Sequence, residues 1–506
     1  MGGELLNQGE RALIESTQFP IKTVNEASAK EKGPGRPPHW EMVFWWTRKP
    51  LAGARAVIAG SLLPETYSKA DFMSNLKLDA GKTPHRLNPE LPHDLEGKFK
   101  RAKLLDPFAG FGSIPLEAIR LGLGEVVAVE HLPTAHVLLK AVLEYPRKYG
   151  AQLERDFEEW GNWVVEKLKG DPDLRELYDE GVAVYIGTWE VKCPVCGNYT
   201  PLVGNWWLAK VKGKKYAYMR PKAEGNELRI EIVEGETRGA PSPNVNNRSN
   251  RAECLLCGSN ISIVDAETGR VYRSKSEEKG KANKSRLEFY PKHALRNWNA
   301  KLDDYLDGRI SLDELRNAIA RPRLLVKVKV VSKELKFEPA IEGDNEKLWR
   351  ALEKLKQMWG DPDIPTEPIA FYENRRITPV LGADKFYKLF NPRQLLTLVK
   401  LVKLIREAGK RVEEEKLKEG WSREEAFKYA EAVTTYLAIA LVRYADYNSV
   451  TTFWNYGGQL PAQVAHVLSM RGITMSWNYG DVSPFIEMSG TCLLYTSPSP
   501  RDRTRS

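Results

Sequence analysis

The chain has 506 residues, more than one compact core usually organises, so we expect several domains. It is 42% hydrophobic and 28% charged, which is typical of a globular protein, and it lacks the run of roughly 18 apolar residues that a transmembrane helix needs. The first residues, MGGELLNQGERALIEST, contain no apolar signal core, so we expect a cytoplasmic protein without a membrane partner. The net charge of +9 permits a polyanionic partner but is too small for this length to require one.

A tryptophan-rich stretch, WEMVFWWTRKPLAGARAVI, is the first strong signal in the chain. Pro50 suits the first position of a helix, and apolar residues follow it at helical spacing. Core packing is the simplest interpretation of Trp45 and Trp46, and stacking on a planar ligand is the alternative. Arg48 and Lys49 either begin the helix in solvent or bind an anionic group.

Residues 104–122, LLDPFAGFGSIPLEAIRLG, predict a strand, a glycine-rich turn and a helix in succession. Ser113 is placed to cap that helix. A second strand, EVVAVE, and a second helix, LPTAHVLLKAVLEY, follow directly. Strands and helices that alternate at this length predict an α/β fold with a parallel sheet.

The glycine-rich turn fits three classes of ligand to different degrees. A phosphate-binding P-loop needs a lysine and then Ser or Thr after the last glycine, and Ser-Ile-Pro stands here instead. A dinucleotide fingerprint needs a third glycine where Pro115 lies. S-adenosylmethionine carries no phosphate and needs a carboxylate, a tight glycine bend and an acid after the next strand, which Asp106, Gly110, Gly112 and Glu130 supply. A turn that merely connects a strand to a helix stays open as the alternative.

Two C-x-x-C pairs, each followed by glycine, have the spacing of zinc knuckles. They are CPVC, with Cys193 and Cys196, and CLLC, with Cys254 and Cys257. Four thiolates complete a tetrahedral site and leave no position for water, so we predict a structural zinc ribbon. Buried thiols or a redox pair are the alternatives. A fifth cysteine, Cys492, lies outside both pairs.

The insert between the two pairs contains NWWLAKVKGKKYAYMRPK, which predicts a β-hairpin that turns at Gly213. Basic residues alternate along it with aromatic and small ones, at Lys210, Lys212, Lys214, Lys215 and Arg220. A solvated charged face is the simpler interpretation, and contact with DNA phosphates is the alternative.

The remaining elements lie towards the C-terminus. Residues 324–337 alternate like a single strand, and two long amphipathic helices are predicted, one from Asn391 and one capped by Ser422. The tetrapeptide WNYG occurs at 454–457 and again at 477–480, which we interpret as coincidence.

The motif DPFAGFGS resembles the D-P-F-x-G-x-G-S/T motif of amino-group DNA methyltransferases, and TRKPLAGARAVI resembles their T-x-K-P motif. Together with NEASAKEK, LKAVLEYPRKYG and the cysteine pairs, these motifs resemble the prokaryotic adenine-specific DNA methylases that contain a zinc ribbon, over about residues 10–488. The resemblance implies a Rossmann-like core that binds S-adenosylmethionine. The residues it assigns to this cofactor are Asp106, Phe108, Ala109, Gly110 and Gly112 in the turn, Glu130 at the ribose, and Lys49 and Pro50 of the T-x-K-P motif. Family members often have Asp where this chain has Glu130, which changes reach but not charge.

Amino-group methyltransferases also use a D/N/S-P-P-Y/F/W motif, which accepts the N–H groups of the target amine and stacks on the flipped base. The sequence contains no such motif. The nearest matches are Ser483-Pro484-Phe485, which lacks one proline, and Asn391-Pro392-Arg393, which opens a helix. Ser483-Pro484-Phe485 is the catalytic candidate, as a divergent form of the motif, and an ordinary turn is the alternative. From about Cys492 the sequence resembles translated sequencing adapter, so we expect a chain that is truncated before its catalytic motif and cannot transfer methyl groups alone.

The resemblance implies an S-adenosylmethionine-dependent methyltransferase that acts on double-stranded DNA, with adenine N6 as the expected target. An RNA or tRNA methyltransferase and a non-enzymatic nucleic-acid-binding zinc protein are the alternatives. The expected fold is α/β, with a Rossmann-like core that is incomplete at the C-terminus. The expected segments are an N-terminal region (1–98), the cofactor-binding core (99–182), a zinc ribbon with its hairpin (183–265), a mixed α/β insertion (266–390), an α-helical region (391–490) and a non-native tail (491–506).

Overall fold

The structure is a computed structural model of the chain. It describes residues 11–32, 36–45, 48–79, 84–272, 286–332, 334–370, 381–457, 462–467, 473 and 475–486. The chain forms two compact units. The first unit comprises Met1–Glu159 and Gly409–Ile439, and the second unit comprises Trp160–Ala408 and Ala440–Ser506.

Helices and strands are mixed throughout, as the α/β prediction requires. The helices are α1 (Ile21–Lys30), α2 (Leu51–Leu62), α3 (Lys69–Asn75), α4 (His93–Arg101), α5 (Ser113–Arg120), α6 (Pro133–Leu139), α7 (Tyr145–Lys169), α8 (Pro172–Leu177), α9 (Tyr290–Leu306), α10 (Leu312–Arg316), α11 (Glu342–Gln357), α12 (Pro392–Lys418) and α13 (Arg423–Tyr447). The strands are β1 (Lys103–Asp106), β2 (Glu125–Ala128), β3 (Val182–Lys192), β4 (Tyr199–Pro201), β5 (Trp207–Val211), β6 (Lys215–Glu224), β7 (Glu227–Glu234), β8 (Val245–Asn246), β9 (Arg251–Ala252), β10 (Ile263–Asp265), β11 (Val271–Tyr272), β12 (Leu287–Phe289), β13 (Ala320–Val331), β14 (Glu334–Pro339), β15 (Phe453–Asn455), β16 (Gln463–Ala465) and β17 (Tyr479–Val482).

The first unit contains the predicted strand–turn–helix–strand sequence. Strands β1 and β2 pair in parallel, with Leu105 opposite Val127, and α5 connects them. One face of this pair packs, through Leu104 and Val126, on a core built from α1 to α5. The parallel pairing is therefore confirmed. Since it is the only parallel pair among the described residues, a complete Rossmann-like core stays a prediction.

The second unit is built around an antiparallel sheet in the order β14-β13-β3-β17, with β4 also pairing with β3. Strand β3, with the sequence VAVYIGTWEVK, is buried along ten of its eleven residues, as expected for an apolar central strand. The predicted hairpin is present as β5 and β6, with Gly213 at positive φ in its turn, and β7 extends it to three strands.

Three sequence predictions need correction. Residues 324–337 form parts of two paired strands rather than one, because the chain reverses at Ser332, which has a φ of +50°. Ser113 is the first residue of α5 rather than its cap, since Gly112 takes the cap position with left-handed φ and ψ. The end of the segment predicted as helical contains three short strands, β15 to β17. The cap of α13, in contrast, is confirmed, because Ser422 and Glu425 form a reciprocal capping box.

Within the described parts of the chain, no helix combines the length and the apolar character that crossing a bilayer requires.

Candidate functional site

The four cysteines of the two C-x-x-C pairs form one cluster in the second unit. Their sulfur atoms all lie within 4.8 Å of one another. The Cys193 and Cys257 sulfurs are 3.8 Å apart, and those of Cys196 and Cys254 are 3.9 Å apart. A tetrahedral zinc site with Zn–S bonds of about 2.3 Å has sulfur–sulfur edges of about 3.8 Å. The cluster thus has the dimensions of a metal site and can hold an ion.

Two turns of the same design present the sulfurs. In each, the first cysteine donates its backbone N–H to the residue five positions on, and the glycine after the second cysteine donates back to the first. For the first turn these hydrogen bonds are Cys193 N to Asn198 O (2.8 Å) and Gly197 N to Cys193 O (2.9 Å), and for the second they are Cys254 N to Ser259 O (2.9 Å) and Gly258 N to Cys254 O (2.9 Å). Gly197 and Gly258 have φ of +76° and +69°, a conformation that favours glycine.

The cysteine environments differ in their effect on thiol ionisation. Burial raises the pKa of Cys193 to about 12 and also raises the pKa of Cys254. At Cys257 burial is the largest single effect and acts in the same direction, but hydrogen bonds with Ser259, Cys254 and Cys196 together outweigh it and lower the pKa to about 6. Four thiolates this close repel one another, so a bound cation is what would hold all of them deprotonated.

The glycine-rich turn in the first unit joins the ends of β1 and β2. Backbone bonds lock the two strand ends together, from Val129 N to Asp106 O (2.8 Å) and from Ala109 N to Val129 O (3.0 Å). The buried carboxylate of Asp106 accepts the N–H of Phe108 at 3.1 Å. Gly110 and Gly112 have φ of +52° and +82°. The backbone conformation at Gly112 favours glycine, and a Cβ there would lie 2.9 Å from a terminal methyl of Leu139, which would have to move.

Glu130, the acid after the second strand, closes this turn. Its Oε2 accepts the N–H of Gly110 at 2.8 Å, and its Oε1 accepts those of His131 at 2.8 Å and Leu132 at 3.1 Å. The bond from Leu132, followed by that from Gly110, holds the pKa of the carboxyl below its usual range. Glu130 is therefore ionised at neutral pH and fixed in place. Since a carboxylate oxygen has two lone pairs, Oε2 retains one for a further donor.

The helix of the T-x-K-P motif packs against the helix that follows the turn. Arg55 on α2 donates to Glu117 on α5 at 2.6 Å, and both side chains are fully buried. At the start of α2, just after Lys49 and Pro50, the carboxylate of Glu31 accepts the N–H of Leu51 at 2.7 Å. Glu31 belongs to the NEASAKEK motif, so this contact caps a helix with an acid from a distant part of the sequence. These contacts join NEASAKEK to the helix of the T-x-K-P motif and join that helix to the one that follows DPFAGFGS.

Aromatic side chains line the other side of the turn. Trp45 packs 6.2 Å from the ring of Phe111, and its Nε1 would lie 3.7 Å from a Cβ at Gly110. Trp45 belongs to a small core around Trp40 and Phe111, so its packing role is confirmed. Trp46 lies outside the described residues. Phe108, in contrast, is 87% exposed, which is unusual for a large aromatic residue.

No motif in the sequence marks His39, which stacks on Phe111 with the ring centres 5.6 Å apart. Burial, and then the charges of His85 and Arg48, lower the pKa of His39 to about 4. This folded pKa lies below the unfolded value of about 6.5. The neutral His39 ring therefore contributes to the free energy of unfolding above pH 6.5, and that contribution is lost as the pH falls towards 4. We expect the wild-type chain to lose about 2 kcal/mol more stability between pH 7 and pH 5 than the His39→Phe variant, as measured by urea unfolding. Equal losses in the two proteins would contradict this assignment.

The other predicted residues lie where they have structural roles. Ser483 is fully buried, and its hydroxyl accepts the N–H of Phe485 at 3.3 Å, as in an ordinary turn. Pro484 is buried beside it. On the hairpin, Lys215 lies 3.3 Å from Glu234 and Arg220 lies 3.4 Å from Glu236, which reduces the positive charge of that face. The tail at 491–506, with Cys492, lies outside the described residues.

Comparison with known protein families gives one match. A family model described as a protein of unknown function, DUF1156, matches residues 18–83, the stretch that contains α1 to α3. Comparison with curated proteins and with solved structures finds no match. The matched stretch includes Glu31, Lys49, Pro50 and Arg55, so it contains both partners of the Glu31–Leu51 hydrogen bond and one partner of the Arg55–Glu117 ion pair.

Proposed function

We propose that the chain is an S-adenosylmethionine-dependent nucleic-acid methyltransferase with a Rossmann-like core, whose substrate is double-stranded DNA and whose target is adenine N6. The observation that carries the proposal is the turn of the first unit. It places Asp106 and Glu130 at the ends of two adjacent parallel strands, on either side of two glycines with left-handed backbone. Ligands of α/β proteins bind at this end of parallel strands.

The residues of the turn have distinct roles in this proposal. The free lone pair of Glu130 Oε2 accepts a hydrogen bond from a ribose hydroxyl. The negative charge of Asp106 attracts the positively charged end of the ligand. The exposed ring of Phe108 packs on the ligand's apolar surface, which would explain its exposure. Lys49 lies at the start of α2, exposed to solvent, where it reaches for the ligand carboxylate. When bound, S-adenosylmethionine supplies an electrophilic methyl group.

We further propose that the metal of the cysteine cluster is zinc and that its role is structural. The support is a donor set of four sulfurs within 4.8 Å of one another, in which two separations, of 3.8 and 3.9 Å, match a tetrahedral edge. A site closed by four protein ligands has no position for a reacting water, so it stabilises the fold rather than taking part in chemistry.

Binding of S-adenosylmethionine tests the proposal directly, because it does not depend on the D-P-P-Y-type motif that the sequence lacks. We expect calorimetry to show binding to the wild-type chain and a loss of at least about tenfold in affinity for Asp106→Asn. The substitution removes the charge but keeps the oxygen that accepts the N–H of Phe108. Glu96→Gln, which removes an exposed carboxylate from α4, is the matched control and should bind as the wild type does.

Absence of binding to a folded wild-type chain would refute the cofactor assignment and favour the non-enzymatic zinc protein. The nucleic acid is tested separately, by competition between labelled duplex DNA and unlabelled RNA of the same sequence. Preferential displacement by RNA would replace the DNA substrate with the RNA or tRNA alternative.

A further inference from the structure

The two WNYG tetrapeptides, whose repetition in the sequence is interpreted above as coincidence, meet in the second unit. Trp454, Asn455 and Tyr456 of the first copy and Trp477 and Asn478 of the second line one open cleft of about 570 Å³. The backbone N–H of Trp454 donates to the carbonyl of Asn478 at 3.1 Å, which joins the two copies directly. The cleft size lies within the range of small-molecule sites, about 300–1,000 Å³.

Several contacts hold the cleft walls in a fixed geometry. The side-chain oxygen of Asn478 accepts the N–H groups of Gly204 at 3.0 Å and Asn205 at 3.1 Å. Trp477 Nε1 donates to the side chain of Asn247 at 3.1 Å. A Cβ at Gly204 would lie 3.3 Å from the ring of Trp477, so the close approach of backbone to indole favours glycine there. The cleft is thus braced from three separate parts of the second unit.

One polar group in the wall lacks a protein partner. Asn478 is only 6% exposed, and its amide nitrogen has no hydrogen-bond acceptor among the described residues. The orientation of the amide is set, because its oxygen accepts two backbone N–H groups. A buried donor without an acceptor is costly, by about 1–3 kcal/mol. This unpartnered donor belongs to a residue that lines the cleft.

The composition of the lining identifies the ligand class. Among the described residues, the cleft has side-chain amides from five asparagines, several aromatic rings, one guanidinium from Arg248 and no carboxylate; the asparagines are Asn205, Asn246, Asn247, Asn455 and Asn478. Amides pair with the edges of nucleobases, aromatic rings stack on their faces, and arginine binds phosphate. A neutral sugar would use the amides and rings but leave the guanidinium of Arg248 without a role.

We propose that this cleft binds one unpaired nucleotide, with the base between the asparagine amides and the aromatic rings and the phosphate at Arg248. The inference is independent of methyl transfer and of the cofactor turn, since all its residues belong to the second unit. It provides the chain with a site for a single-stranded or extrahelical nucleotide of a nucleic acid.

Mononucleotide binding by the full chain, without S-adenosylmethionine, tests the proposal. Calorimetric titration with AMP, CMP, GMP and TMP should detect binding of at least one. Asn478→Asp, which keeps the accepting oxygen for Gly204 and Asn205 but replaces the donor with an anion, should weaken that binding at least about tenfold. Arg248→Gln should weaken binding of the nucleotide but leave binding of the corresponding nucleoside unchanged.

Three controls separate this site from others. Arg251→Gln removes an exposed arginine that pairs with Glu253 outside the cleft and should bind as the wild type does. If Asp106→Asn abolishes mononucleotide binding while Asn478→Asp does not, the ligand lies at the turn and the proposal is wrong. It is equally wrong if no mononucleotide binds, or if methyl glucoside binds instead with the same sensitivity to Asn478→Asp. Circular dichroism of each variant shows that loss of binding is not loss of fold.

Discussion

Cys254→Ser is expected to lower the zinc content of the purified chain from one ion to a small fraction and to destabilise the second unit by about 4 kcal/mol or more. Cys254 is buried, and its sulfur lies 3.9 Å from that of Cys196, so a hydroxyl in its place cannot complete the four-thiolate set. Zinc binding to structural sites is worth roughly 10–16 kcal/mol, and that free energy is available for folding only while the ligand set is intact.

Metal analysis by mass spectrometry and thermal unfolding measure the two effects together. Treatment of the wild type with a strong chelator should reproduce the loss of stability. Added zinc should restore the stability of the chelator-treated wild type but should not stabilise Cys254→Ser. Cys492→Ser, which changes the cysteine outside the two pairs, is the control and should retain the metal. A Cys254→Ser chain that keeps one tightly bound zinc ion would contradict the four-cysteine site.

Local sequence carried the information for both parts of the candidate site. The C-x-x-C-G spacing suffices to predict each cysteine turn, because the glycine conformation and the hydrogen bonds all fall within six residues. The same holds for the turn from Asp106 to Gly112, where the acid, the glycines and the flanking strands are contiguous. The meeting of the two cysteine turns was also predictable, since the chemistry of four thiolates requires it.

Contacts between distant segments were not predictable from one sequence. Glu31 caps a helix that begins 20 residues later, and no local pattern marks this role. The reversal at Ser332 lacks the glycine that usually signals a turn, so the hairpin of β13 and β14 looked like one strand. The repeat of WNYG is visible in the sequence, but the cleft was not predictable from it. The position of the second copy depends on the pairing of β17 with β3, which no local pattern encodes.

The second large effect is expected at Asp481, the residue directly after the second WNYG. Asp481 and Arg393 are both fully buried, and Arg393 donates to Asp481 Oδ2 through Nε at 3.0 Å and through a terminal nitrogen at 2.8 Å. The guanidinium also lies over the ring of Tyr185 at 3.9 Å and donates to the carbonyl of Leu177 at 2.9 Å. The pair thus fastens the start of α12 to the central sheet of the second unit.

Asp481→Asn should destabilise the chain by about 3–5 kcal/mol, because it keeps the shape of the side chain but leaves the charge of Arg393 buried without a counter-ion. The matched control is Glu166→Ala, which breaks an exposed pair with Lys169 in the same unit and should cost less than about 1 kcal/mol. The double variant Arg393→Met with Asp481→Asn removes both charges and should recover about half of the loss or more. Guanidinium unfolding of the four proteins measures these differences. If the Asp481→Asn single variant is as stable as the Glu166→Ala control, the ion pair contributes no more to stability than a surface contact does.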